Sequence, residues 1–163
     1  MLVAQFYGAQ RLKDLEETVH TSILLAGIGG VILIFVGFFL SDPMLELMGT
    51  PDEVLVLATL YMKIYFLGMP ATLIYNFGSA ILRAIGDTRR PLYFLLTAGV
   101  INVVLNLIFV IQFSMGVAGV ALATTISQCV SAALIIQCLA RSDAPYRLQK
   151  SKLKLKGDKV KKI

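Results

Sequence analysis

The sequence has no tryptophan, one histidine and two cysteines. Its larger shortage is charge: 15% of residues are charged, against about 25% in ordinary soluble domains. The charges are missing in blocks. Thr18 to Ser41, Ile64 to Leu82 and Pro91 to Ala140 contain no Asp, Glu, Lys or Arg. A membrane-spanning helix needs about 20 such residues, whereas runs of about 10–14 suit a buried soluble helix. An ordinary soluble domain is therefore excluded. Cys129 and Cys138 fall on opposite faces of one expected helix, which excludes a bridge within it and leaves them as small apolar-face residues. His20 stands beside Thr21 and Ser22 at the mouth of the first uncharged block. With no second ligand near it in sequence, it is expected to be solvated or capping rather than metal-bound. There is no nucleophile–base pair, metal cluster or phosphate loop, so no enzyme activity is expected.

What is present is apolar: 57% of 163 residues, with mean hydropathy +0.79. The expected fold class is all-α, a polytopic bundle of four transmembrane helices at about 19–40, 61–82, 91–113 and 117–140. The second contains Gly68 and Pro70, which should kink it. Pro91 opens the third at a first-turn position. A break at Ser114-Met115-Gly116 divides the fifty-residue uncharged block into two spans. Between the first two spans, 41–60 reads as an external interfacial segment. There Gly49 ends a short helix over MLELM. Thr50 caps the next, with Pro51 at N1 and Glu53 at N3 in a capping box. Residues 1–18 read as the last turns of a helix followed by a cytoplasmic loop. MLVAQFYGAQ is too short to span and has no basic n-region, so the chain is expected to be part of a longer protein.

Basic residues set the orientation. The 41–60 segment holds Asp42, Glu46, Asp52 and Glu53 and no Lys or Arg. Arg11, Lys13, Arg83, Arg89 and Arg90 lie on the other side, so both termini and the 83–90 loop are expected to be cytoplasmic. Nine of the fifteen basic residues fall in the tail, 141–163. That tail reads as a topology signal with attraction for anionic lipid, at about 1 kcal/mol per basic residue near the surface. It is no nucleic-acid site, since aromatics are nearly missing from it.

The spans contain no carboxylate, and their embedded polar residues are mainly amides and hydroxyls. Asn102 and Asn106 are one turn apart and share a helix face. Thr124, Ser127, Gln128 and Ser131 follow at i, i+3, i+4 and i+7, one continuous stripe. Asn76 and Ser79 share a face of the second span, beside Tyr75. Three polar faces should turn toward one another. Two readings remain open: hydrogen bonds that hold the bundle, averaging roughly 0.6 kcal/mol each, or a wet cavity for an ion or solute.

Three stretches, YMKIYFLGMPATLIYNFGSAILRAIGDTRRPLYFLL, NVVLNLIFV and GVAGVALATTISQ, together resemble the amino-terminal lobe of the multidrug and toxic compound extrusion (MATE) family. AQFYGAQRLKDLEE resembles that family's segment between its second and third helices. The match runs in order over about 4–145. The resemblance implies a plasma (inner) membrane transporter that exports organic cations in exchange for Na⁺ or H⁺, with no bound cofactor. It implies two six-helix lobes, of which these spans would be helices three to six of the first. The partners would then be the lipid bilayer, the organic cation substrates and the remainder of the transporter. The family's lobe site pairs a fifth-helix asparagine with an acid one turn later. Asn102 matches the asparagine, and Asn106 stands where the acid would be. Thr124 matches a sixth-helix threonine and Asn76 a fourth-helix asparagine. The first-helix aspartate has no counterpart here. Arg83, Gly86, Asp87, Arg89 and Arg90 form the loop between the second and third spans. Topology and loop folding account for them, with a gating ion pair as the alternative. The rivals are a lipid-linked saccharide flippase, which should carry basic residues in its cavity where only Lys63 lies near a span, and a non-transporting scaffold subunit. A complete four-helix small multidrug transporter would need a membrane carboxylate.

Overall fold

A computed structural model describes residues 2–141. Its elements are all helical: α1 (Leu2–Gly8), α2 (Leu12–Leu47), α3 (Asp52–Leu67), α4 (Met69–Ala84), α5 (Arg89–Leu107), continued by a π turn (Ile108–Gln112), and α6 (Gly116–Arg141). Three segments, α2, α5 with its π turn, and α6, are long and apolar enough to cross a membrane. The pair α3 and α4, bent by 46° at Gly68, makes a fourth if it is one span. The basic tail beyond Arg141 lies outside the described residues.

The first span differs from the sequence expectation at both ends. It begins at Leu12 rather than 19 and continues through Ser41, Asp42 and Pro43 to Leu47 without a break. Thirty-six residues make about 54 Å of helix, well beyond a ~30 Å hydrocarbon core. Pro43 lies inside the helix, where it lacks the N–H that would bond the Phe39 carbonyl, and α2 continues past it for one further turn. Ser41 is buried, and its Oγ donates back to the Gly37 carbonyl. The longer α2 also corrects His20. It is not at a helix mouth but inside, 2% exposed, with Nδ1 2.7 Å from the Glu16 carbonyl.

Gly49, at φ +70°, ends α2. Its N–H bonds to Glu46 O at 3.0 Å, and Thr50 N–H bonds to Leu45 O at 3.2 Å, the paired closure of a Schellman motif. That motif consumes Thr50, so the expected capping box does not form. Pro51 becomes the N-cap of α3 without any side-chain cap bond, and its carbonyl accepts from Val54 and Leu55, each at 3.0 Å.

α6 is the central post: α3, α4 and α5 all pack on it, while α2 packs on α3 and α4. Two glycines let α2 lie close to the bent pair. A Cβ on Gly30 would overlap the Pro70 backbone, and one on Gly37 would overlap the Phe66 side chain. The apolar core gathers at the end that holds α1 and the α4–α5 turn, around Leu15, Val19, Tyr75, Ile81, Leu82, Ile135 and Leu139. Most remaining large apolar side chains point outward, as on α5, where Leu92, Leu95, Leu96 and Val103 are exposed. That arrangement suits lipid or further helices and not water.

Tyr75 Oη, buried, donates to the Pro91 carbonyl at 2.8 Å, tying α4 to the start of α5. Tyr75→Phe is expected to cost roughly 1 kcal/mol, seen as a lower thermal midpoint in detergent with helix content unchanged.

Candidate functional site

The third and fourth spans meet through a small network of amides and hydroxyls. α5 carries Asn102 and Asn106 on one face, as their spacing requires, and that face lies on α6. Asn106 Nδ2 donates to Asn102 Oδ1 at 3.0 Å. Asn102 Nδ2 in turn donates to Ser127 Oγ at 3.3 Å and to Thr124 Oγ1 at 3.4 Å. Both hydroxyls also bond their own helix: Thr124 to the Val120 carbonyl at 2.9 Å and Ser127 to the Thr124 carbonyl at 2.8 Å. Asn102 is therefore the hub. One atom is left over. Asn106 Oδ1 is buried and has no hydrogen-bond partner.

The other candidates divide. Gln128 is half-buried, and its backbone carbonyl accepts from Ser131 Oγ at 2.9 Å, a contact along α6 separate from the Asn102 network. Asn76 is exposed and takes no part in the network. Its neighbours Tyr75 and Ser79 are the buried ones. α4 and α5 each pack on α6 and touch one another little, so the face of α4 that bears Asn76 is not brought to Asn102.

The turn between α4 and α5 is closed by local bonds. Gly86 sits at φ +92°, and Asp87 N–H returns to the Leu82 carbonyl at 2.9 Å, a second Schellman closure. Asp87 accepts from the Arg90 backbone N–H at 3.2 Å and from Arg90 Nε at 3.1 Å. Arg90 also reaches Cys138 Sγ at 3.7 Å on α6. Arg83 Nε donates to the Ser79 carbonyl at 3.3 Å, and Arg89 is exposed.

Sequence reasoning missed Thr125. It lies off the stripe of residues 124, 127, 128 and 131, yet its Oγ1 crosses to the Ile64 carbonyl at 3.0 Å. No periodicity announces it, because its partner is a backbone atom at a helix break.

As chemistry, the network offers uncharged oxygens from two amides and two hydroxyls. Such a set suits a hard monovalent cation or water, and none of these groups can release a proton near neutral pH.

The MatE family profile matches residues 1–108. The chain belongs to the MATE family. It is 37% identical over 129 residues to the "Probable multidrug resistance protein YpnP" of Bacillus subtilis, covering 78% of this chain and 28% of that protein. It superposes with a TM-score of 0.89 and 25% identity on an inward-facing structure of a multidrug resistance MATE transporter of the MOP superfamily. An outward-facing structure gives the same TM-score and identity. The superpositions cover 98% of this chain, and 37% and 36% of those chains. The chain thus spans about a third of the length of the relatives it matches. It is an all-α, multi-pass membrane segment of MATE type.

Proposed function

We propose that the chain forms part of the wall of one lobe in a two-lobe efflux transporter, which exports organic cations in exchange for Na⁺ or H⁺. In this reading the Asn102 cluster receives Na⁺ and not a proton. The observation that carries it is Asn106 Oδ1, buried and without a donor, beside Asn102, Thr124 and Ser127. An unpartnered carbonyl in hydrocarbon costs free energy, and a bound cation or a water would offset that cost. The ions of the gradient would be cargo. The rest of the wall, and the opposing lobe that alternating access requires, would come from the remainder of the transporter. The charge bias supports cytoplasmic termini in a plasma (inner) membrane.

The flippase reading would need a basic cavity. Lys63 instead bonds Asp42 at 2.8 Å and lies over the Phe38 ring, 5.5 Å from its centroid, at the outer end of α2. This disfavours a role in holding a saccharide pyrophosphate.

Two measurements test the proposal. ²³Na line broadening with the chain in lipid nanodiscs is expected for the wild type and is expected to be lost in Asn106→Leu. In proteoliposomes the chain alone is expected to move no dye cation under a Na⁺ or proton gradient. Equal broadening in both proteins would overturn the sodium site. Saturable, gradient-driven transport by the chain alone would overturn the part-lobe reading.

A further inference from the structure

The elbow between α3 and α4 has its own fastening. In an unbroken helix the Gly68 N–H would bond the Ile64 carbonyl, four residues back. Here it turns to the Tyr65 carbonyl at 3.0 Å. Pro70 has no N–H to offer the Phe66 carbonyl. The Ile64 carbonyl is released from the ladder within a bilayer-spanning segment, where an unpaired carbonyl is costly. Thr125 of α6 supplies the donor, with Oγ1 3.0 Å from Ile64 O. α6 is also pressed against the elbow itself: a Cβ on Gly68 would come within 3.3 Å of Thr125 Oγ1 and 3.4 Å of its Cα.

The preceding residue serves a different neighbour. Thr124 Oγ1 is 3.4 Å from Asn102 Nδ2 on α5. Successive residues on a helix are about 100° apart. One pair of threonines therefore clasps the polar cluster with one hydroxyl and the elbow with the next. A rotation of α6 that loosens the first contact displaces the second.

We propose that Thr125 is a positioning residue whose hydroxyl locks the elbow of the second span, and that Thr124 ties this lock to the Asn102 cluster. The inference goes beyond the transport reading and stands or falls whether or not the chain carries a cation.

The test is double electron–electron resonance on the full chain in lipid nanodiscs. Cys129 and Cys138 are replaced by alanine, and spin labels are attached through Val56→Cys near the start of α3 and Ile111→Cys in the π turn that continues α5, both exposed positions. Val56 lies about 18 Å of helix from Gly68, so complete loss of the 46° bend would carry it about 14 Å. The parent and Thr125→Ser are expected to give one narrow distance. Thr125→Val, equal in shape but without the hydroxyl, is expected to add a population displaced by about 5 Å or more toward that straight-helix limit. Thr124→Val, which leaves the donor to Ile64 in place, is expected to shift the distance in the same direction. Circular dichroism checks helix content, and Thr125→Ala replaces the valine variant if that content falls. An unchanged distance in the variant lacking the Thr125 hydroxyl refutes the lock. A shift there with none in Thr124→Val refutes the tie to the cluster.

Discussion

Asn102→Leu is expected to destabilise the chain by about 3 kcal/mol, while Asn106→Leu, one turn away, changes stability by less than about 1 kcal/mol. The asymmetry follows from the direction of the hydrogen bonds. Asn102 accepts from Asn106 and donates to Thr124 and Ser127. Leucine at 102 fills a similar volume but strands the whole Asn106 amide, whose Oδ1 is already alone. Three interhelical or intrahelical bonds at roughly 0.6 kcal/mol each, together with an unpaired buried amide at about 1–3 kcal/mol, give the larger figure. At position 106 the terms offset. One bond is lost and Asn102 Oδ1 loses its donor, but the stranded carbonyl disappears with the side chain. Thermal or detergent denaturation of purified protein in micelles measures both. If Asn106→Leu proved as costly as Asn102→Leu, the hub assignment would fall, and Asn106 would have to hold a partner of its own. The sodium reading adds a second axis: the nearly neutral variant should lose ion binding, separating a functional cost from a structural one.

The other large effect is steric. Gly30→Leu is expected to cost at least about 3 kcal/mol and to abolish a monodisperse fold, because its Cβ would lie within the Pro70 backbone. Backbone cannot step aside as a side-chain tip can, so α2 and α4 must separate along their contact. Gly27→Leu is the control. It lies one turn earlier on the same helix, with no atom within 4 Å of a Cβ, and should be tolerated within about 0.5 kcal/mol. Size-exclusion profiles and thermal midpoints of the two variants in one detergent make the comparison. Equal behaviour would mean that the tight approach of α2 to Pro70 is absent in the membrane.

The all-α membrane class and the bend between α3 and α4 were legible because they follow from one-dimensional properties: charge-free length, and glycine with proline close together. The neighbourhood of Asn102, Asn106, Thr124 and Ser127 was legible for a related reason. Each pair repeats at helical period, and polar faces in lipid seek one another. Asn76 fails the same logic. Its exposure depends on how α4 is rotated against α6, which is set by contacts such as Gly78 against Ile135, and no periodicity reports that. The end of α2 was misread because Ser41-Asp42-Pro43 reads as a break, whereas the helix runs through it to the stop at Gly49; the cap of α3 was misread because two local signals competed for Thr50. A Schellman closure and a capping box both suit the residues, and the closure uses backbone groups already at hand. Thr125 was invisible because its role is defined by a carbonyl that only a break in another helix sets free.

The turn at Ser114 and Met115 bears on how the chain is made. It joins two spans with no charge between Pro91 and Ala140, and Arg90 touching Cys138 shows that the far ends of these spans come back together. During synthesis neither leg carries its own anchor near the turn. The arginines at 89, 90 and 141 must hold both legs to the same membrane face, so the two helices are expected to enter the bilayer as a single folded hairpin, with their amide and hydroxyl contacts closing as they leave the insertion machinery.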